Sequence, residues 1–235
     1  MQNDEVVTSN GVQLFNSDIK TRLAETALSH VPAKGWTIDA LAAAAKDLGY
    51  PSVLHGLFPG GGADLIDYFL RKSKNEMRAE LEGMDLSSMR IPVKIRTACV
   101  KRLQLTAPFI SKWPDALAVM AQPQNVPMSL RNLGELVDEI WYLAGDRSVD
   151  MNWYSKRAML AGVYTSTEVY MTQDKSPDFQ ETWKFLDRRL QDVATFGRTT
   201  AEVSNVVQFG LRSAVGVLAS VSGDFEVSNS VLDFI

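Results

Sequence analysis

Apolar residues along this chain recur at three- and four-residue intervals, the period of a helix that buries one face. The first clear run is Ile19, Leu23, Ala24, Ala27 and Leu28. It predicts a helix that starts near Ser17, since Asn16 and Ser17 are both suitable N-caps, and that ends at Pro32 and Gly35. A second helix follows Thr37, with Ile38, Leu41, Ala42, Ala45 and Leu48 inward and Gly49 closing it. The stretch YPSVLHGLFPGGG, Tyr50 to Gly62, is too broken by Pro and Gly for more than one short helix. Further helices are predicted from Ala63 to Glu82, from Pro92 to Phe109, and briefly after Pro114. Pro92 stands at the preferred first helical position. In the second half, Asn125–Ala144 carries Met128, Leu130, Leu133, Leu136, Val137, Ile140 and Trp141 at helical spacing. Asp150–Met171, Pro177–Phe196 and Thr199–Ser222 follow, the last opened by a capping-box pair, Thr199 and Glu202.

No segment alternates with period two over several residues, and no internal repeat is visible. The reading is an all-α fold of about nine or ten helices. Residues 1–16 are expected to be a disordered arm, 17–198 a helical body, 199–222 a C-terminal amphipathic helix, and 223–235 a flexible tail. Within the body, 17–60 is set apart from a bundle over 61–198.

Helix, helix, short helix, long helix is the order found in TetR-like bacterial regulators. There the short third helix enters the DNA major groove with base-reading and phosphate-holding side chains. Here that position holds Tyr50-Pro51-Ser52-Val53-Leu54-His55-Gly56-Leu57-Phe58, with no Lys or Arg. Over residues 18–60, Lys20, Arg22, Lys34 and Lys46 stand against Asp18, Glu25, Asp39 and Asp47. Counterion release needs unopposed cations on phosphates, so the region is a degenerate helix-turn-helix and no nucleic-acid partner is expected. The whole-chain net charge of -4 agrees with this.

Candidate chemistry is sparse. One cysteine, Cys99, excludes an internal disulfide framework and any multi-cysteine metal site. It lies between Ala98 and Val100 on a periodic helix and reads as a small buried hydrophobe. His30 precedes Val31-Pro32 at a helix end, as a capping residue, and His55 reads as a core or loop histidine. Gly60-Gly61-Gly62 offers backbone amides that could meet a phosphate, although a flexible turn explains it as well. The Glu-x-x-His pairs of di-iron bundles and the common nucleotide and hydrolase signatures are absent. The chain reads as non-enzymatic, with no cofactor and no metal. No apolar run is long enough to cross a bilayer, and the N-terminal MQNDEVVTSNGVQLF is neither a secretory signal nor an Arg-rich transit peptide.

Two helices stand out. Asp150–Met171 is apolar on most sides, so it is either a central core helix or the lining of a cavity for a greasy ligand. In the last helix Val203, Val206, Val207, Leu211, Ala214, Val217, Leu218 and Val221 oppose Ser204, Asn205, Gln208 and Arg212. That helix either packs on the body or lies flat in a membrane interface.

Three stretches carry a resemblance. Leu136-Val-Asp-Glu-Ile-Trp-Tyr-Leu-Ala-Gly-Asp146, Asp150-Met-Asn-Trp-Tyr-Ser-Lys-Arg157 and Met171-Thr-Gln-Asp-Lys-Ser-Pro-Asp-Phe179 resemble the Coq-nine family. Its members are accessory proteins of ubiquinone (coenzyme Q) biosynthesis. Leu28-Ser-His-Val-Pro-Ala-Lys-Gly-Trp36 is similar to the family's opening, and the similarity runs from about residue 20 to 222. The resemblance implies a TetR-like fold without DNA binding, an isoprenoid-lipid pocket, and a last helix that contacts the membrane. It also implies a partner, the di-iron hydroxylase acting on demethoxyubiquinone, which would hold the iron this chain lacks ligands for. The implied partner-binding patch comprises Asp138, Ile140, Trp141, Asp150, Trp153, Tyr154 and Arg157. Trp153 and Arg157 are four apart, so they share a helix face and can stack. Asp150 also suits an N-cap, and Trp141 also continues an apolar stripe. For the lipid pocket the apolar helix offers Met159, Val163, Tyr164 and Met171. Eukaryotic family members carry a mitochondrial transit peptide that this sequence does not show. That leaves a mature form at the matrix side of the inner membrane or a bacterial relative in the cytoplasm.

The expectation is therefore a non-catalytic accessory protein that binds isoprenoid quinone intermediates and presents them to the hydroxylase. It sits peripherally on the membrane through residues 199–222, as a homodimer, since TetR-like bodies often pair. A ligand-responsive transcription regulator and a lipid-modifying enzyme are the rival classes.

Overall fold

The helical periods of the sequence become eight α-helices in a computed structural model, which describes residues 2–146 and 152–196. They are α1 (Gln2–Lys34), α2 (Ile38–Asp47), α3 (Gly62–Glu82), α4 (Ile91–Gln104), α5 (Trp113–Met120), α6 (Val126–Ala144), α7 (Asn152–Gln173) and α8 (Gln180–Phe196). Short 3₁₀ turns occupy Ser52–Leu57, Ala107–Lys112 and Pro177–Phe179. The described residues contain no strand, and the fold is all-α. No helix among them is long and apolar enough to cross a membrane. The helix expected over 199–222 lies outside the described residues.

Several boundaries differ from those the sequence predicts, each for a local reason. Residues 2–16, expected as a disordered arm, are the start of α1. A polar stretch without proline can extend a helix once the segment beyond it has nucleated. The helix expected to run to Phe109 stops at Gln104. Pro108 lacks an N–H and disfavours the α-region for the residue before it, so the chain tightens into the 3₁₀ turn. The helix expected from Pro177 starts at Gln180, because Asp178 and Phe179 are both left-handed, at φ 51° and 57°.

The chain divides into two compact units, Met1–Phe69 and Leu70–Ile235, and the division falls inside α3. In the first unit, Leu23, Ala24, Ala27 and Val31 of α1 are fully buried, as are Ala40, Leu41, Ala44 and Ala45 of α2. The small α2 residues let the two helices lie close. His30 does not cap its helix, as its position suggested. Its Nε2 stands 2.7 Å from Asp47 Oδ2 and ties α1 to the end of α2. His55 is a loop histidine, with Nδ1 2.7 Å from the Ser52 carbonyl. The glycine run is a packing requirement: a Cβ on Gly62 would stand 2.0 Å from the Trp36 carbonyl oxygen. The Gly60 amide is already spent on Asp64 Oδ2, at 2.9 Å.

The second unit is a bundle in which α6 packs on α4 and α7, while α7 also packs on α5 and α8. Its core gathers Ile95, Cys99 and Leu103 of α4, Leu136, Val137 and Ile140 of α6, Leu160, Val163 and Met171 of α7, and Leu186 of α8. Within each helix these positions lie on one face, so each helix turns one stripe inward. α7 buries one face, on which Leu160, Tyr164, Thr167 and Glu168 are all covered, and its other positions are mostly half-buried.

The connection from α7 to α8 is held by one carboxylate. Asp174 Oδ2 accepts from the Thr182 amide at 2.8 Å and its hydroxyl at 2.6 Å, while Oδ1 accepts from the Ser176 amide at 2.8 Å. Burial works against ionisation of Asp174, but the hydrogen bonds from Thr182 and Ser176 outweigh it and hold the carboxyl at about 2. The folded pKa thus lies below the ordinary 3.8, so this contribution is complete above that value and is lost as pH falls towards 2. Asp174→Ala is expected to lower stability by about 0.5–2 kcal/mol at neutral pH, the range for losing a helix cap. Melting curves of wild type and variant should converge as the pH is lowered from 5 to 2. An equal gap across that range would contradict the assignment.

Candidate functional site

Chemistry-bearing side chains come together in two places in the second unit. The first is on the surface where α6 hands over to α7. Gly145 ends α6 at φ +93°, where a side chain would be strained. Its amide bonds the Tyr142 carbonyl and that of Asp146 bonds the Trp141 carbonyl, both at 3.0 Å, the paired bonds of a left-handed helix cap. The turn sets Asp146 beside α7, and Lys156 Nζ lies 3.3 Å from its Oδ1. The same ammonium stands 5.7 Å from the centroid of Trp141.

One residue further on, Arg157 Nε donates to Asp138 Oδ1 and Nη1 donates to the Trp153 carbonyl at 3.3 Å. The guanidinium lies 3.8 Å from the centroid of the Trp153 ring, so the stacking that the spacing allowed is realised. Trp153 meets Tyr154 edge-on at 4.7 Å, and Tyr154 is 73% exposed. Each cation of α7 is thereby held between an aspartate and a tryptophan. Exposed ion pairs are worth at most about 1 kcal/mol and surface cation–π contacts about the same. Their main effect here is to fix the directions of two large aromatics at the surface.

The structure separates the residues of the implied patch. Asp138, Trp141, Trp153, Tyr154 and Arg157 come together. Ile140 does not join them at the surface: it is fully buried, because it sits on the inward stripe of α6 with Leu136 and Val137 and belongs to the core. Asp150 lies outside the described residues.

The second place is a cavity of about 120 Å³. Its apolar wall includes Leu117 and Met120 of α5, Leu130 and Leu133 of α6, and Val169 of α7. Arg102 of α4 and Tyr164 and Glu168 of α7 line it too. Arg102 is 1% exposed and Glu168 6%. Arg102 Nη1 donates to Thr106 Oγ1 at 3.0 Å, and the Tyr164 hydroxyl lies 3.4 Å from Glu168 Oε1. Burial raises the Glu168 carboxyl above its ordinary value, against the opposing pull of Arg102 and of hydrogen bonds from Tyr164 and Trp113. Burial also raises the Tyr164 phenol, so it stays a neutral hydroxyl. Burial pushes the Cys99 thiol up to about 12, which keeps it protonated and unreactive near neutral pH.

Of the four residues offered for the pocket, only Tyr164 lines this cavity. Val163 and Met171 belong to the core, since they lie on the stripe of α7 turned towards α4, α6 and α8; Met159 is half-buried and is not part of the wall. Arg102 and Glu168 were missed. Their signal was present: Glu168 is the one charge in Ala158–Gln173, and Arg102 continues the stripe of Ile95 and Cys99. A charge at an inward position needs a buried partner. The residues named for membrane contact, Val203, Val206, Val207, Leu211, Ala214, Val217, Leu218 and Val221, lie outside the described residues.

The family model described as COQ9 matches residues 126–197, the stretch that holds α6, α7 and α8. The "Ubiquinone biosynthesis protein COQ9, mitochondrial" of Rattus norvegicus is 38% identical over 216 residues, covering 87% of this chain and 69% of that protein. Its Homo sapiens namesake is 37% identical over 216 residues, covering 87% and 68%. The "Probable ubiquinone biosynthesis protein coq9, mitochondrial" of Dictyostelium discoideum is 35% identical over 183 residues, covering 75% and 60%.

If Tyr154 is a surface feature and Ile140 a core residue, truncating them has unequal effects on stability. Tyr154→Ala should change unfolding free energy by less than about 0.5 kcal/mol, and Ile140→Ala should cost about 2–5 kcal/mol. Denaturant titration of the two variants checks this, and equal losses would place Tyr154 in the core.

Proposed function

Because the chain belongs to the COQ9 family, we propose that it is a non-catalytic, isoprenoid-lipid-binding accessory protein of ubiquinone biosynthesis. Its work is to offer poorly soluble demethoxyubiquinone-type intermediates to a di-iron hydroxylase. The setting proposed is the matrix side of the mitochondrial inner membrane. The segment 199–222 supplies the amphipathic contact with the bilayer.

The observation that carries this reading is the double use of α7. Near its start the helix holds Trp153 and Tyr154 at the surface. Ten residues on, Tyr164 enters the cavity wall. At 1.5 Å per residue the two positions are about 15 Å apart along one helix. Trp, Tyr and Arg are the residue types that form interface hot spots, and here their directions are set by Asp138, Asp146 and the cation stacks. A partner docked on this patch would stand beside the cavity. Burying each CH₂ is worth about 0.8 kcal/mol, so an isoprenoid leaves the bilayer only for a site that covers its apolar surface. In this scheme the iron chemistry belongs to the hydroxylase, and this chain supplies binding and orientation.

Capture of the di-iron hydroxylase by wild type and by the double variant Trp153→Ala/Tyr154→Ala tests the reading. The expected result is retained helicity and melting with affinity reduced about thirtyfold or more, corresponding to about 2 kcal/mol from lost hot-spot contacts. Mass spectrometry of the purified wild type should also find co-extracted isoprenoid. A wild type that neither binds the hydroxylase nor carries isoprenoid would overturn the proposal.

A further inference from the structure

α6 carries a glycine that nothing else in the described residues requires. Gly is disfavoured inside a helix, because it loses more backbone freedom on folding than any other residue. A fold keeps it where the backbone is left-handed or where a Cβ has no room. Gly145 and Gly62 are such cases: φ is +93° at the first, and a Cβ on the second would stand 2.0 Å from the Trp36 carbonyl oxygen. Gly134 is neither. It lies near the middle of α6 and is absent from the left-handed glycines, Gly35, Gly49, Gly61 and Gly145. It is exposed, and a Cβ there would meet nothing within 4 Å.

The surrounding positions show what this gap faces. At about 100° per residue, Pro127, Leu130, Gly134, Asp138 and Trp141 fall within an arc of about 80° on α6. Pro127 is exposed and Leu130 is 60% exposed. Asp138 and Trp141 are the α6 members of the aromatic patch, where they meet Arg157 and Lys156. One outer stripe thus runs from Leu130 past Gly134 to Trp141, about 17 Å along the axis, and continues into the patch. With no side chain at Gly134, Leu130, Arg131 and Asp138 border a hollow floored by helix backbone. The main-chain carbonyls there are taken up by the hydrogen bonds of α6 itself, so the hollow favours carbon over a polar tip. Where helices pack, a hole between such positions receives one side chain of the facing helix. A small residue at the contact also brings the axes towards the short end of the usual range of about 8–10 Å.

We propose that Gly134 is the seat of a partner helix. A helix of the hydroxylase lies along the outer stripe of α6 and sets one bulky apolar side chain over Gly134. The inference rests on the reading of the aromatic patch as the hydroxylase's docking surface, and it extends that surface along α6 as far as Leu130. The missing side chain has a cost to the free protein and a use only in the complex, so filling the gap affects the two in opposite directions.

Thermal melting and hydroxylase capture are compared for the full chain as wild type, Gly134→Ala, Gly134→Leu and Ser88→Leu. The last adds the same leucine at an exposed position between α3 and α4. Gly134→Ala is expected to melt about 1–4 °C higher than wild type, since Ala is the better helix former, and yet to bind the hydroxylase more weakly. Gly134→Leu should lose about tenfold or more in affinity through overpacking at the contact, while Ser88→Leu binds as wild type does. Wild-type affinity in Gly134→Leu, or an equal loss in Ser88→Leu, would overturn the seat and leave the accessory reading standing. Gly134→Ala melting below wild type would overturn it as well, by showing that the glycine serves this chain's own fold. If Gly134→Leu alters sedimentation of the free protein and leaves capture unchanged, the hollow belongs to a contact between copies and the proposal fails. A wild type that does not capture the hydroxylase overturns the docking reading, and the seat falls with it.

Discussion

The second unit is organised around the burial of Arg102 and Glu168 inside an otherwise apolar bundle. Charges of opposite sign attract strongly in a low-dielectric interior, but the attraction compensates for lost hydration only when the geometry is held. α4 and α7 must therefore keep a register in which Arg102 reaches Thr106 and Glu168 stays near Tyr164. A slip of one residue on either helix would rotate its charged residue about 100° away and carry the apolar stripe with it. The leucines around the pair would tolerate many arrangements; the pair does not. It specifies the packing more than it stabilises it.

A second consequence follows for α7, whose buried residues share one face while its other sides are half-buried. Its three charged residues all need partners from other helices or turns, and each finds a different solution. Lys156 uses Asp146 and the Trp141 ring, Arg157 uses Asp138 and the Trp153 ring, and Glu168 uses the buried cluster. The first two solutions are at the surface and cost little; the third is internal and costly. Surface pairs of that kind are retained easily.

How much of this was legible in the sequence follows from the range of each interaction. Helix identity is local, and α2, α3, α6 and α8 were placed from three- and four-residue spacing, although Ile38, expected inward on α2, is exposed, as is Leu130 of the α6 stripe. Boundaries failed where a backbone exception intervened, as at Pro108 and at the left-handed pair Asp178 and Phe179. The Trp153–Arg157 stack was legible because both partners share one helix. The cavity was not, because its wall is assembled from Leu70 of α3 and residues on four further helices, and no window of sequence holds two of those helices in their packed relation. Choosing by apolar character selected Val163 and Met171 on the face of α7 that fills the core, and Met159, which is half-buried outside it. The cavity face is marked by the opposite property, the polar members Tyr164, Thr165 and Glu168 at positions that ought to be buried.

That difference bears on how a patch and a cavity on one helix can work together. Allosteric coupling requires two arrangements of the connecting element that each site favours differently. An α-helix fixed by Asp138 and Asp146 near one end and by the buried cluster further along is poorly suited to be such an element, since moving it would break pairs at both ends. What a rigid α7 can convey is position. A molecule docked on Trp153 and Tyr154 would stand at a constant distance and angle from Tyr164 and Glu168, with no conformational change needed to reach the cavity. The orientation entropy of the encounter is then settled by the fold before the partner arrives, and the cost of holding charges in the bundle contributes to the precision of that placement.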